Sequence, residues 1–225
     1  MILYYIRHGQ PNYEINCLTE QGKKQALLLS RRADLKDVEA VFSSPSRRAV
    51  QTAMPTSNTL GKEIVVLDEC DEDCAWSRFS MSTPSGDRWF YQNDVGIRAL
   101  AKAQNDGKEW WSDPVFGNNM AENVQWYRDF TDKFMLFLGF KHERENNAYK
   151  CTGAKYKKVA LFAHEGAGYA ILSSITDIPY PNLTRLYNYH TGVTTLLFDE
   201  SKELIVPEIA TFSDTKHLPA NLTTR

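Results

Sequence analysis

Two short apolar runs in this chain each deliver a histidine and, within two residues, a glycine. Residues 2–6 lead into Arg7-His8-Gly9, and residues 159–163 lead into His164-Glu165-Gly166. A guanidinium matches an oxyanion through paired hydrogen bonds, and glycine lets the backbone come close to a ligand. A third stretch, Ser43-Ser44-Pro45-Ser46-Arg47-Arg48-Ala49, follows another apolar run and opens a helical pattern. A cation there reaches an anion held near the positive end of the helix. Each of these features alone is as readily an ordinary loop or a solvated arginine pair. Two strand-end histidines, with one arginine beside them and another at a third strand end, converge on a single anion-binding pocket if all the runs are strands of one sheet.

The elements needed to bring them together are legible. Residues 2–6 read as a strand buried on both faces, 39–42 and 64–67 as two more, and 159–163 as a fourth. Thr19 is placed to cap a helix with Ala26, Leu27 and Leu29 among its apolar positions. Residues 46–60 read as a helix, kinked or ended near Pro55 and stopped by Gly61. A long amphipathic helix spans 122–140, with Val124, Tyr127, Phe130, Phe134 and Phe137 on one stripe. Residues 141–158 read as a polar connection and 166–175 as a helix. Residues 193–198 and 204–209 read as a hairpin turning over 199–201. Strands alternating with helices imply an α/β fold: a three-layer sandwich with a mostly parallel central sheet. In such sheets ligands sit beyond the carboxyl ends of the strands, where His8 and His164 fall.

The rhythm breaks at about residues 68–120, which hold four of the five tryptophans, Trp76, Trp89, Trp110 and Trp111. This stretch reads as an aromatic-rich cap inserted within a single domain spanning 1–225. Its rings suit either a pocket for an apolar leaving group or the insertion's own core.

Composition excludes several functions. Among 225 residues, 26 Lys and Arg stand against 28 Asp and Glu, a formal net charge of −2. A duplex-binding protein carries a basic excess, so nucleic acid is not the expected partner. No apolar run is long enough to span a bilayer, and the apolar amino terminus lacks the basic flank of a signal peptide. Cys17, Cys70, Cys74 and Cys151 form neither a disulfide framework nor a zinc set. The expectation is a cytoplasmic protein with no membrane partner and no bound metal.

Arg7-His8-Gly9, Ser44-Pro45-x-x-Arg48-Ala49-x-x-Thr52-Ala53 and His164-x-Gly166 resemble, in order and spacing, the histidine phosphatase superfamily, also called phosphoglycerate mutase-like. Leu18-Thr19-x-x-Gly22-x-x-Gln25-Ala26 adds a fourth match. The resemblance implies that His8 is the nucleophile that becomes phosphohistidine. It implies that Arg7, Arg48 and His164 hold the phosphoryl oxygens, with His164 also a catalytic residue. The family's proton donor follows the third strand, which points to Glu69, with Asp71 and Glu72 as neighbouring alternatives. Glu122, at the head of the long helix, either orients the pocket or only favours the helix terminus.

Where many relatives carry Thr or Ser and then Asn after the Arg-His-Gly motif, this chain has Pro11 and Glu14. Glu14 therefore points away from phosphate or meets a cationic part of the substrate, and Asn12 is a candidate for the missing amide. Eight residues separate Gly9 from the next family motif at Leu18-Thr19, without the longer segment of the cofactor-dependent mutases. The similarity is thus to the phosphatase branch: a phosphomonoester hydrolase needing no metal or organic cofactor. Its expected partner is a small-molecule phosphomonoester, with a phosphoprotein left open. A mutase-type phosphoryl transferase and a phosphate-binding protein without turnover are the alternatives.

Overall fold

The apolar amino-terminal run becomes an interior strand because both of its faces find a hydrophobic layer. The structure, a computed structural model, describes residues 1–117 and 119–225. It begins with β1 (Ile2–Arg7), the two-residue ladder β2 (Pro11–Asn12) and β3 (Cys17–Leu18), then α1 (Glu20–Leu29), β4 (Ala40–Ser43), α2 (Arg47–Leu60) and β5 (Ile64–Val66). Next come α3 (Glu72–Phe79), the hairpin β6 (Ser80–Thr83) and β7 (Gly86–Trp89), α4 (Asp94–Asn105) and α5 (Met120–Phe137). The hairpin β8 (Phe140–Glu143) and β9 (Ala148–Cys151), β10 (Lys158–Ala163), α6 (Gly166–Thr176), α7 (Tyr180–Leu183), β11 (Val193–Leu197) and β12 (Glu208–Asp214) complete it.

Six strands form one sheet in the order β12-β11-β1-β10-β4-β5. The pairings β1–β10, β10–β4 and β4–β5 are parallel, while β11 runs antiparallel to both β1 and β12. Alternation along each strand divides the core in two. Leu3, Tyr5, Phe42, Val159 and Leu161 join the layer of α5, α6 and the cap. Tyr4, Ile6, Val41, Ala160 and Phe162 join the layer containing Leu29 of α1 and Ala53 of α2. This is the mixed α/β sandwich, with its mostly parallel sheet, that the sequence implies.

Local signals hold in detail. Thr19 Oγ1 accepts from Gly22 N at 3.0 Å, capping α1. Gly61 ends α2 at φ 63°, where glycine meets no steric penalty. Several expectations need correction. Pro55 does not end the helix, since α2 runs through to Leu60. Leu27 and Phe137 are about half exposed, and Thr131 and Met135 take buried places on α5 instead. The connection at 141–158 carries the β8–β9 hairpin, which buries Ala148 and Tyr149 against the core. The carboxyl-terminal hairpin joins β11 and β12 through a longer connection, with Leu197 opposite Glu208.

Residues 68–120 hold α3, the β6–β7 hairpin and α4, and they pack on the α5–α6 face. Phe79, Trp89, Phe90 and Phe116 are buried there. Phe90 and Trp110 stack with centroids 4.9 Å apart, and Trp89 meets Trp76 edge-on at 5.0 Å. Most of the aromatic excess is the core of this insertion.

One buried ionic cluster ties α5, β8 and the end of α6 together. His142 Nδ1 lies 3.0 Å from Asp132 Oδ1 and its Nε2 2.7 Å from Asp177 Oδ2, while Arg144 bonds both carboxylates. Burial pulls the imidazole pKa down, but the two carboxylates outweigh it and leave it raised above 6.5. A raised folded-state pKa adds stability that is complete below the unfolded value of about 6.5 and is lost as pH rises through the folded value. Urea melts should therefore show wild-type stability falling above pH 6.5. His142→Gln should show no such loss, and parallel pH profiles for the two proteins would refute the assignment.

Candidate active site

Four strand termini meet at one edge of the sheet. His8 N donates to Ala163 O at 2.9 Å, Ser44 N to Phe162 O at 2.9 Å, and Leu67 N to Ser43 O at 2.9 Å. These backbone bonds extend the parallel ladder past the strands and set His8, Ser44 and His164 side by side. Glycine is obligatory beneath the nucleophile loop. A Cβ on Gly9 would stand 2.8 Å from Gly22 O, and one on Gly22 only 2.2 Å from Gln10 O.

His8 is 2% exposed, and its Nδ1 lies 2.7 Å from Gly9 O. A carbonyl can only accept, so the proton sits on Nδ1 and the Nε2 lone pair is free. Burial, His164 and Arg7 all push the imidazole pKa well below 6.5, which keeps it neutral and nucleophilic. Arg48 Nε donates toward that lone pair at 3.3 Å.

His164 is fully buried. Its Nε2 lies 2.7 Å from Ser44 Oγ, which already accepts from Ser46 N at 3.2 Å. His164 Nδ1 has no partner among the described residues. Its ring centroid is 5.1 Å from that of His8. Arg7 Nη1 donates to Asn188 O, its Nη2 lies 3.5 Å from Glu165 Oε2, and its Nε is unpartnered. A buried polar group without a partner costs about 1–3 kcal/mol, so unpartnered Arg7 Nε and His164 Nδ1 mark a place for an acceptor-rich ligand.

Of the adjacent arginines, Arg48 is buried and Arg47 exposed. Arg48 Nη1 donates to Asn16 Oδ1 at 2.6 Å. Asn16, at φ 51°, thus supplies the amide that was sought at Asn12. Asn12 instead accepts from Glu14 N at 3.0 Å in a local turn, and Glu14 is exposed. Glu122 is also exposed. The structure brings none of these three into the cluster.

The acids after β5 separate clearly. Glu69 sits in the turn Asp68–Cys70 and its charge acts on Cys70 and Cys74. Asp71 caps α3 by accepting from Asp73 N. Glu72 reaches the site: its Oε1 accepts from Gly166 N at 3.0 Å and its Oε2 from Ala167 N at 2.9 Å. Burial raises its pKa, against the pull of those two amides, Arg48 and Arg7. Trp89 of the cap closes over the same helix end, since a Cβ on Gly166 would meet its ring at 2.4 Å. A separate cavity of about 220 Å³ between cap and α6, lined by Trp110, Trp111, Tyr127 and Asp177, contains none of these residues.

A buried neutral imidazole with a free lone pair, ringed by two guanidiniums and a second imidazole, is equipped to take and hold a phosphoryl-type anion. The comparisons agree with that geometry. Residues 3–85 match the model of the histidine phosphatase superfamily (branch 1), so the resemblance to that superfamily is shown over the segment carrying Arg7-His8-Gly9 and Arg48. A putative phosphoserine phosphatase 2 from Hydrogenobacter thermophilus is 25% identical, the match covering 91% of this chain and 93% of that protein. In fold, the chain resembles a phosphoserine phosphatase from Entamoeba histolytica solved with 3-phosphoglyceric acid. The TM-score is 0.63 at 16% identity, covering 97% of this chain and 99% of that one. A mycobacterial glucosyl-3-phosphoglycerate phosphatase solved with VO3 gives a TM-score of 0.58 at 19% identity, covering 94% and 98%.

Removing Asn16 frees the Arg48 fork, and a hydrogen bond to a charged group contributes about 1.5–3 kcal/mol. Asn16→Ala should weaken inorganic phosphate binding about tenfold or more in calorimetry. Asn12→Ala should leave it unchanged. Equal losses would remove Asn16 from the site.

Proposed function

We propose that this chain hydrolyses small phosphomonoesters through a phosphohistidine formed on His8, with Glu72 as the proton donor. The observation that carries the reading is the fixed His8 tautomer: Nδ1–H is tied to Gly9 O, and Nε2 is open beside Arg48. In the first step the Nε2 lone pair attacks phosphorus and the P–O bond to the alcohol breaks. The proton of Glu72 passes to the departing oxygen. In the second step water attacks the phosphohistidine, Glu72 takes its proton, and the P–N bond breaks to release phosphate. Arg7, Arg48 and His164 hold the three peripheral oxygens, where charge is spread during transfer. This charge is balanced by side chains, so the proposed chemistry needs no metal.

The named relatives support a small substrate, and phosphoserine and 3-phosphoglycerate head the panel to be assayed. Glu14 is exposed, so the alternative of a site that binds phosphate without turnover loses one of its two supports, the other being the identity of the acid. Among the described residues no helix is long and apolar enough to cross a membrane. The four cysteines stand as free thiols, as a reducing compartment keeps them, and the cytoplasm is the compartment proposed.

With EDTA present, wild type should turn over p-nitrophenyl phosphate and at least one ester of the panel, and His8→Ala should reduce this to background. Near-native activity in His8→Ala would overturn the mechanism. Because burial raises the Glu72 pKa, its proton is retained to higher pH than in a free carboxyl. Turnover of alkyl phosphates should therefore fall as pH rises through that value, while p-nitrophenyl phosphate, whose leaving group needs no proton, falls less. Glu72→Gln should slow alkyl esters about 10²- to 10⁴-fold, the usual scale of general acid catalysis, and p-nitrophenyl phosphate far less. Glu69→Gln should affect neither. The reverse pattern would return the acid to Glu69.

A further inference from the structure

A third imidazole stands beside the nucleophile, and none of the four motifs contains it. His190 lies three residues before β11. That strand runs antiparallel to β1, so its start falls at the edge where β1 and β10 end. Thr191, at φ 55°, turns the chain so that its N–H donates to Arg7 O at 3.1 Å and His8 O at 3.3 Å. His8 thereby has two imidazole neighbours, His164 and His190, with ring centroids 5.1 and 5.7 Å away.

The hydrogen bonds around His190 decide which nitrogen carries its proton. Gln10 N donates to Gln25 Oε1 at 2.7 Å, which fixes the amide of Gln25. Gln25 Nε2 then donates to Leu222 O at 2.7 Å and to Thr224 Oγ1 at 2.8 Å. The Thr224 hydroxyl that accepts this bond lies 2.9 Å from His190 Nδ1, where it is free to direct its own hydrogen. A neutral ring that accepts at Nδ1 bears its proton on Nε2. His190 Nε2 has no partner among the described residues, although the residue is 3% exposed. Asn188 Nδ2, on the same segment, is also unpartnered.

We propose that His190 is a further phosphoryl-binding residue, whose Nε2–H donates to an oxygen of the group held over His8, with Gln25 and Thr224 fixing its tautomer. This rests on the reading of His8 as the phosphoryl-accepting residue. Together with His164 Nδ1, which is likewise without a partner among the described residues, it gives two unpartnered imidazole nitrogens on rings adjacent to His8. An uncharged donor is what the site can accommodate, because Arg7 already supplies a buried cation next to it. Burial and Arg7 push the His190 pKa down to about 3, so the donor stays uncharged throughout the range in which the protein would work. Thr224 and Gln25 act through the ring and are positioning residues.

The test uses inorganic phosphate as the probe, with calorimetry on the full chain. A hydrogen bond to a charged partner corresponds to about a 10- to 100-fold change in affinity. His190→Phe should weaken phosphate binding by that factor and lower kcat/KM equally. His190→Gln, which keeps an amide donor, should recover most of the loss. Thr224→Val, which releases the tautomer, should fall between them. In the wild type, nitrogen NMR should show the Nε2–H tautomer of His190, with that proton moving downfield when phosphate is added. If His190→Phe does not fold, the NMR titration decides: an unmoved His190 proton in a protein that binds phosphate overturns the proposal. Unchanged phosphate affinity in a folded His190→Phe does the same. Failure of wild type to bind phosphate or cleave any ester would instead count against the reading of His8.

Discussion

Arg48 is buried with no carboxylate to pair with among the described residues. Its guanidinium meets only the amide oxygen of Asn16, the lone pair of His8 and, at 5.6 Å, the ring of Tyr13. A buried charge left without an opposite one is among the most expensive arrangements a fold can hold, and it persists only where the surrounding structure enforces it. Arg7 is barely better placed, since the carboxylate it approaches, Glu165, also faces Arg225 at 3.7 Å. Much of the rest of the site follows from that positive field. Out of water, and beside Arg7, His8, His164 and His190 all have their pKa values pushed down and stay neutral. The glutamate that shares the pocket is offset by backbone amides rather than by either arginine directly. An oxyanion with three peripheral oxygens would complement this arrangement of donors.

Holding that field in place is the work of the sheet. His8 sits on backbone still hydrogen-bonded as an extension of the ladder, and the His164 backbone is pinned by the Tyr5 hydroxyl, which accepts from its N–H at 3.1 Å and donates to its carbonyl. Arg48 is carried on the first turn of α2, a helix that buries Ala49 and Ala53 beneath it. The cap contributes differently. It supplies Glu72 and Trp89 to the head of α6 and keeps most of its remaining aromatic rings for its own packing.

How much of this could be read from the residues alone depended on the range of the interactions. The strands, Thr19 as a cap and Gly61 as a stop are local matters, governed by periodicity and spacing over a few positions. The three-layer order followed from alternation. What escaped were features set by distant chain. Asn16 takes its role from a left-handed backbone turn that brings it to Ser46 and Arg48 some thirty residues on. Glu72 rather than Glu69 reaches α6 because a short 3-10 turn shifts the phase of the acidic run before α3 begins. His190 gave no signal in its own neighbourhood, since the antiparallel return of β11 is what carries it to His8. The hairpin at 140–151 was hidden by its polar residues, with its ionic cluster turned inward.

The contact between Gly9 and Gly22 has a bearing on how substitutions in this chain are to be interpreted. One glycine belongs to the loop that carries His8 and the other to α1, yet neither has room for a single added methyl group. A systematic mutational scan scored by activity would rank Gly22 with the residues that handle the ligand. Its intolerance would report the closeness of two backbones rather than any chemistry. Variation at either site is tied to the other, so change here has to arrive as a coordinated shift of loop and helix, and the two segments drift through sequence space as one unit.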